Sequence, residues 1–245
     1  MFFNFKSKPK LKELIPNGYV DIHSHLLFGL DDGAKTLEDT ISFVSQIRSL
    51  GFSKVITTPH IMEGLYPNTS TTILNKLEEV KAALNKNEIH FTIKAGAEYM
   101  MDHFFYENLK NAPLLTLKDN WVLVEMSYLN APVQLYDIIY ELQVMGYQPI
   151  LAHPERYLYY YKNQNEYEKL KKSGLYFQLN LLSLVGYYGP EAQSTAEKLL
   201  LKGMIDFTGS DIHHQFHLNS LEKKISLKET YLLEAAFEKN NIFAD

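Results

Sequence analysis

The chain has 245 residues, of which 46% are hydrophobic and 22% charged. This balance is typical of a globular protein with a sizeable core and excludes disorder as the dominant state. The formal net charge of -5 argues against a surface that wraps nucleic acid. The sequence contains no cysteine, which excludes disulfides, thiolate metal sites and enzymes with a cysteine nucleophile.

The sequence shows no targeting or membrane-spanning segment. The stretch from Met1 to Phe5 is apolar only briefly before lysines interrupt it, and no run reaches the roughly 18 apolar residues that a spanning helix needs. We therefore expect a cytoplasmic protein with no membrane span and no nucleic-acid partner. Because no Ser/Gly-rich linker divides the chain, we expect one domain of residues 1–245, with residues 1–18 as a lead-in segment.

Short β-rich runs alternate with helical patterns along the chain. Seven runs are predicted as strands: 19–25, 54–60, 90–98, 121–126, 148–153, 175–179 and 205–211. Apolar residues recur at helical spacing in 36–50 and 71–84, and 221–238 is predicted as the final helix. This alternation predicts an α/β fold.

Residues with metal-binding side chains gather where the predicted strands end. In βα folds, functional groups collect at the carboxyl edge of the sheet. The endings include Asp21-Ile22-His23-Ser24-His25, Thr58-Pro59-His60, Glu98, His153-Pro154-Glu155-Arg156 and Ser210-Asp211-Ile212-His213. Strand side chains alternate, so His23 and His25 project to the same side, and the same holds for the pair at 211 and 213. Imidazoles and carboxylates suit zinc, iron or manganese, and the sequence therefore predicts a metal site.

Three features of the sequence leave alternatives open. Arg156 lies beside the predicted metal site, where its planar fork suits a phosphate or carboxylate, and a structural ion pair is the alternative. Asp31 and Asp32 precede Gly33 and either form an ordinary turn or supply a ligand. The tyrosines at 157 and 159–161 either wall a pocket for an aromatic substrate or fill a loop surface.

Taken together, the motifs resemble those of the PHP (polymerase and histidinol phosphatase) superfamily. They occur in order and with compatible spacing over about residues 19–214, and they are Asp21-Ile22-His23-Ser24-His25, Asp31-Asp32-Gly33, Thr58-Pro59-His60, Gly96-Ala97-Glu98-Tyr99, His153-Pro154-Glu155-Arg156 and Ser210-Asp211-Ile212-His213. Within this superfamily, the motif residues are most similar to those of the bacterial manganese-dependent tyrosine-protein phosphatases encoded with capsular and exopolysaccharide synthesis genes.

The resemblance implies a distorted seven-stranded (β/α)7 barrel of PHP type that holds three divalent ions, with Mn²⁺ favoured over Fe or Zn. The implied ligands are His23, His25, Glu98 and Asp211 for one ion, Glu98, Glu125 and His153 for a second, and Asp32, His60 and His213 for a third. The implied catalytic residues are Arg156, Asp211 and His213.

The implied reaction is hydrolysis of phosphotyrosine by a metal-activated water. Because three divalent ions outweigh four carboxylate ligands in charge, the pocket would attract a dianion. The implied partner is the tail of a polysaccharide-export tyrosine kinase. One stretch departs from the family, because residues 214–219 lack the second phosphate-binding arginine; His214 and His217 are the candidates to replace it.

Three other functions use similar residues. A histidinol-phosphate or other small-molecule phosphomonoester phosphatase would bind the same metals. The motif residues at 31–33 and 153–156 favour a phosphotyrosine substrate instead. An amidohydrolase is disfavoured because the sequence offers no candidate for its carbamylated bridging lysine and Glu98 takes the bridging role. A non-catalytic metal-binding PHP module would hold metal and hydrolyse no phosphoester.

Overall fold

The computed structural model of the protein describes residues 8–245. The apolar stretch at Met1–Phe5 lies outside the described residues, and the lead-in segment is described only from Lys8 onward, where it forms the short helix α1 (Leu11–Leu14). Among residues 8–245, no helix combines the length and hydropathy that crossing a bilayer requires.

The strands pair exclusively in parallel within the described part of the chain. Nine strands occur in residues 8–245: β1 Tyr19–Asp21, β2 Phe52–Thr57, β3 His60–Ile61, β4 Thr92–Ala95, β5 Glu98–Met100, β6 Trp121–Glu125, β7 Gln148–Ala152, β8 Tyr176–Asn180 and β9 Phe207–Gly209. One sheet has the order β1-β2-β4, and the other has the order β3-β5-β6-β7-β8-β9. The predicted α/β fold is confirmed.

Helices follow most of the strands and cover the sheets. The remaining α-helices are α2 Leu37–Ser49, α3 Ser70–Lys86, α4 His103–Asn108, α5 Leu135–Val144, α6 Asn165–Lys172, α7 Pro190–Leu201, α8 Gln215–Ser220 and α9 Thr230–Lys239. Helix α2 begins at a capping box, in which the Thr36 side chain accepts from the Asp39 N–H. Its apolar face, which includes Phe43 and Ile47, is buried. The apolar residues at helical spacing in α2 are therefore the ones that pack against the core.

Two of the predicted strands are each divided in the structure. Run 54–60 becomes β2 and β3, and run 90–98 becomes β4 and β5. Pro59, which has no N–H to donate, lies at the first break. Gly96 lies at the second, where an added Cβ would come within 2.8 Å of Leu117 Cδ2. The breaks allow the chain to change direction immediately before His60 and Glu98.

Backbone contacts link the two sheets on both sides. Ser24 and Ile212 form a parallel bridge, so the end of β1 meets the segment after β9. On the other side, β5 meets the segment between β2 and β3, where the Glu98 N–H donates to the Pro59 carbonyl at 3.2 Å. The strand pairing does not show a closed sheet of seven strands, and the seven-stranded barrel stays a prediction at this point.

The final helix begins later than predicted. It was expected over 221–238, whereas α9 spans Thr230–Lys239. Ile225 is buried in an extended segment, and its N–H donates to the Pro9 carbonyl at 3.0 Å. The apolar residues between 221 and 229 therefore pack against the lead-in segment instead of forming a helix face.

Candidate metal centre and substrate pocket

Nine side chains with metal-binding groups converge at the carboxyl ends of the strands. Their ligand atoms form four overlapping groups, each within 4.8 Å: His25, Asp32, His60 and His213; His23, Glu98 and His153; His23, His25 and Asp211; and His60, Glu98 and Glu125. Every residue that the sequence nominated as a ligand belongs to at least one group. The tertiary structure thus brings all nine together, although the grouping places His60 beside Glu98 and Glu125 as well as beside Asp32.

The rings of His23 and His25 are oriented so that their Nε2 atoms lie close together. His23 Nδ1 lies 2.7 Å from Gln178 Oε1, and His25 Nδ1 lies 2.7 Å from Asp31 Oδ2. Both partners are acceptors, so each Nδ1 carries a hydrogen, and Nε2 is the atom of each ring that is left to bind a metal ion. The two Nε2 atoms are 3.2 Å apart. A cation bound between or beside these two atoms would be ligated by both rings.

The two adjacent aspartates have different surroundings. Asp31 is buried, and its Oδ1 accepts from the Gly33 N–H at 2.9 Å while its Oδ2 accepts from the His60 N–H at 3.1 Å. Burial raises the pKa of Asp31, but His25 outweighs burial and lowers it to about 2. Asp32 has a half-exposed side chain, with Oδ1 3.5 Å from His60 Nε2 and 3.4 Å from His213 Nε2. Asp31 therefore positions His25, and Asp32 faces the cluster.

Several buried nitrogen and oxygen atoms of the candidate ligands make no hydrogen bond within residues 8–245. His60 Nδ1 lies 2.8 Å from Glu125 Oε1, yet neither atom has a hydrogen bond of acceptable geometry within residues 8–245. Such an approach suits two ligands of one cation better than a hydrogen-bonded pair. The donor set, which is imidazole and carboxylate without thiolate, also fits hard or borderline divalent ions.

The side chains of the cluster have shifted pKa values. Burial lowers the pKa of His23, His25 and His60, but nearby carboxylates outweigh burial and raise it, so a bound cation would displace protons from these rings. Burial raises the pKa of Glu98, but His23 and His60 outweigh burial and hold it well below its usual range. Burial and the Arg156 guanidinium together lower the pKa of His153 to about 4. At neutral pH, the Glu98 carboxylate is charged and the His153 imidazole keeps a lone pair, which are the forms that bind metal.

Close backbone approach helps to place the histidines. A Cβ added at Gly33 would lie 2.2 Å from the His25 carbonyl oxygen, so only glycine fits there. His153 and Asp211 have positive φ angles of 34° and 52°. Left-handed backbone is costly for residues other than glycine and persists where the surroundings impose it, as it does at many functional sites.

Six of the nine side chains line the floor of an open cavity of about 850 Å³: Asp32, His60, Glu125, His153, Asp211 and His213. Arg156 lies in its wall, with the guanidinium carbon 3.9 Å from the ring centre of Tyr188 and 4.8 Å from that of Tyr128. Its Nη1 donates to Asp211 Oδ2 at 2.8 Å. The ion pair considered from sequence is therefore present, and the side chain also borders the cavity. Within residues 8–245, this is the one hydrogen bond that the guanidinium donates, which leaves its other N–H groups for a ligand.

Four contributors to the site were missed by sequence reasoning. Gln178 orients His23, and Asn180 Nδ2 donates to Asp211 Oδ2 at 2.7 Å. Both lie near the end of β8, two residues apart on one face, so the carboxyl-edge rule would have found them had the strand been extended by one residue. Tyr128 and Tyr188 border the cavity, and no pattern in the sequence marks them.

The tyrosines at 157 and 159–161 are not among the residues that line this cavity. Tyr157 is buried, and its hydroxyl donates to the Ala152 carbonyl and accepts from the Met126 N–H. Tyr159 donates to the Ser127 carbonyl at 3.0 Å. These rings brace the loops after β6 and β7, and the substrate-wall alternative is wrong for them.

His214 and His217, the candidates to replace the second phosphate-binding arginine, line the cavity. Burial lowers the pKa of His217 to about 3, and its ring packs edge-on against Tyr187 at 4.7 Å. Burial and the neighbouring His213 also lower the pKa of His214. Both rings are therefore neutral at neutral pH and supply hydrogen-bonding groups rather than fixed positive charge.

Comparison with known proteins decides the family. Residues 19–227 match the family described as capsular polysaccharide synthesis, CpsB/CapC. The chain belongs to the CpsB/CapC family. Tyrosine-protein phosphatase YwqE from Bacillus subtilis is 29% identical over 223 residues, which are 87% of this chain and 88% of YwqE.

Solved structures agree with this membership of the CpsB/CapC family. A structure from work on YwqE from Bacillus subtilis and CpsB from Streptococcus pneumoniae, described as metal-dependent tyrosine phosphatases, has a TM-score of 0.78 and 28% identity and covers 91% of this chain and 90% of that chain. A histidinol phosphate phosphatase from Lactococcus lactis has a TM-score of 0.55 at 14% identity, covering 91% of this chain and 94% of that chain, and shows a shared fold alone.

Proposed function

We propose that this chain is a metal-dependent protein-tyrosine phosphatase. The observation that carries the proposal is the convergence of nine ligand-type side chains, six of which line a cavity that Arg156 also lines. The tyrosine phosphatase YwqE matches over 88% of its length and supports the same activity. Without cysteine, the chain has no route through a phosphocysteine.

We assign the nine residues as ligands of three divalent ions, with Mn²⁺ expected and Fe or Zn as alternatives. The convergence of imidazole and carboxylate atoms, the close approach of the His23 and His25 Nε2 atoms and the charged Glu98 carboxylate support this assignment. Divalent ions held here would lower the pKa of a nucleophilic water and offset negative charge on the phosphoryl group. The number of ions follows from the family resemblance, and the four overlapping donor groups are compatible with it.

The residues of the chain then bind and orient the substrate. Arg156 is assigned to the nonbridging phosphate oxygens, because its guanidinium is held between two aromatic rings and keeps N–H groups for a ligand. Asp211 and His213 complete the catalytic group. Tyr66 and Tyr128 supply aromatic walls beside the cluster, which suit the phenyl ring of phosphotyrosine.

We further propose that the two sheets form one distorted (β/α)7 barrel within a single domain of residues 1–245. The linking contacts support this, because β2 and β3 occupy one position of the ring, β4 and β5 a second, and Ser24–Ile212 joins β1 to β9. The proposed protein partner is the phosphorylated tail of a polysaccharide-export tyrosine kinase. An extended tail can reach the floor of an open cavity, and the family's link to capsular polysaccharide synthesis supports it.

Chelation should abolish phosphatase activity. The cluster combines five imidazoles with four carboxylates, which is a donor set that binds hard or borderline divalent ions. We expect the purified protein to contain about three divalent ions per chain, to lose activity with EDTA, and to recover best with Mn²⁺. Elemental analysis beside the activity assay checks this. Full activity in protein shown to be metal-free would rule the mechanism out.

The substrate preference separates this function from the main alternative. We expect the chain to hydrolyse phosphotyrosyl peptides with a kcat/KM well above that for histidinol phosphate, because the open cavity of about 850 Å³ admits a polypeptide. Steady-state assays of both substrates with the same metal-loaded protein make the comparison. Equal or greater efficiency on histidinol phosphate would favour a small-molecule phosphatase. Bound metal without hydrolysis of either would favour a non-catalytic module.

A further inference from the structure

A second cavity, of about 350 Å³, opens beside the cavity above the metal cluster. We call it the side pocket, and its apolar walls include Ile61, Tyr99, Phe104, Phe105, Leu109 and Leu114. Four residues, Met62, Glu63, Met100 and Asp102, line both cavities. None of the nine candidate ligands is among the described residues that line the side pocket. The side pocket therefore adjoins the substrate cavity at these four residues and is separate from the metal cluster.

The side pocket and the metal cluster lie on opposite sides of one strand pair. Strands β3 and β5 pair His60 with Glu98 and Ile61 with Tyr99. Because side chains alternate along a strand, the first pair faces the cluster, and the second pair faces the side pocket. A polypeptide that crosses the ends of these two strands passes both. The two sites are thus separated by this one strand pair.

The walls of the side pocket are held in place before any ligand arrives. Tyr99 Oη accepts from the Leu115 N–H at 2.6 Å, which anchors the segment after α4. On the facing loop, Asn68 Nδ2 donates to the His60 carbonyl at 2.9 Å. At the mouth, the Phe104 ring is 48% exposed. A preformed pocket with an exposed aromatic edge binds an apolar group at low ordering cost.

We propose that the side pocket binds a large apolar side chain that lies near the phosphotyrosine in the same substrate polypeptide. This proposal rests on the proposed function, since it requires a phosphotyrosyl polypeptide in the main cavity. Because the side pocket shares four lining residues with that cavity, we infer that its occupant is part of the substrate. The carboxylates of Glu63 and Asp102 on the shared rim disfavour an acidic residue between the two groups. The chain would thus select the sequence around the phosphotyrosine.

The test uses short phosphotyrosyl peptides whose other residues are alanine or serine. A single leucine is moved through the three positions on each side of the phosphotyrosine, and p-nitrophenyl phosphate serves as the substrate with no flanking residue. We expect leucine at one or two positions to lower KM about tenfold with kcat unchanged, because one large apolar side chain is removed from water. p-Nitrophenyl phosphate reports the chemical step alone.

Variants of the side-pocket wall test whether the preference for leucine arises in the side pocket. Ala112→Trp fills the side pocket from its exposed edge, and Phe104→Ala removes a wall. Both should reduce the leucine preference to less than about twofold while leaving turnover of p-nitrophenyl phosphate unchanged. The matched control is Tyr231→Ala, which removes an exposed ring, 63% accessible, on α9. It should keep the full preference.

The outcomes separate the two proposals. Turnover of both substrate types without a leucine preference in the unsubstituted protein, or a preference that survives Ala112→Trp, overturns the side-pocket proposal alone. Turnover of neither substrate by metal-loaded protein overturns the proposed function, and the side-pocket proposal falls with it. If Ala112→Trp changes the sedimentation coefficient but not the peptide preference, the side pocket is a contact between copies of the chain and the proposal is wrong.

Discussion

Asp211→Ala should lower kcat/KM about 1000-fold or more and reduce the metal content, while the fold persists. Asp211 Oδ1 lies 3.3 Å from His23 Nε2 and 3.4 Å from His25 Nε2, so its loss removes the carboxylate from one donor group. Loss of several kcal/mol of metal-dependent stabilisation corresponds to a factor of this order. Activity assays with elemental analysis of the same preparation measure both effects.

The control for Asp211→Ala must reproduce its backbone cost. Asp211 has a φ of 52°, where alanine is strained, and the exposed Asp119 has a similar φ of 48° away from both cavities. Asp119→Ala should therefore show a comparable backbone penalty in thermal unfolding with normal activity and metal content. If Asp211→Ala kept near-normal turnover and full metal content, Asp211 would not be a ligand. His153→Ala should resemble Asp211→Ala.

Arg156→Ala should lower kcat/KM roughly 100- to 1000-fold, because a charged bidentate donor that strengthens its contact as charge develops on the phosphate is worth about 2–4 kcal/mol. His214 and His217, the other candidates near the phosphate, have lowered pKa values and are neutral. Arg156 would therefore supply most of the fixed positive charge. Lysine should recover only part of the loss, since it keeps the charge and loses the planar fork.

The ion pair between Arg156 and Asp211 makes metal content the deciding measurement for this variant. Removing the guanidinium leaves Asp211 Oδ2 with Asn180 as its remaining side-chain donor among residues 8–245. A loss of activity with full metal content supports the phosphate contact, whereas a loss that follows metal content assigns Arg156 to the ion pair alone. The chain has one other arginine, Arg48, which is exposed on α2, and Arg48→Ala is the matched control. A change of less than about threefold in Arg156→Ala at full metal content would end the phosphate assignment.

The candidate ligands could be nominated from the sequence because strand geometry is a local property. Alternation places His23 and His25 on one side, and the parallel arrangement brings strand ends to one edge. These rules need no knowledge of distant contacts. They were sufficient to name seven of the nine residues that the structure gathers, whereas the ligand roles of Asp32 and Glu125 came from the resemblance to the PHP superfamily. The helical spacing in α2 was likewise sufficient to identify its buried face.

The same local rules could not distinguish Asp31 from Asp32 as a ligand, and they could not identify the hydrogen-bond partners of the ligands. Asp31 and Asp32 are equivalent in sequence, and only the packing of the loop buries Asp31 against His25 and leaves Asp32 half-exposed. Asn180 meets Asp211 because β8 and β9 are adjacent strands, which the sequence pattern alone did not reveal. Whether Arg156 has an ion-pair partner was equally undecided.

The amino-acid sequence by itself determined the α/β alternation, the donor types and the absence of a cysteine nucleophile, since each depends on residue identity and short-range periodicity. Tertiary structure decided the strand breaks at Pro59 and Gly96, the start of α9 at Thr230, and the tyrosines around Arg156. It also decided the existence of the side pocket. Those features depend on which distant segments come into contact, and contact between distant segments is set by the packing of the whole core rather than by any one stretch of chain.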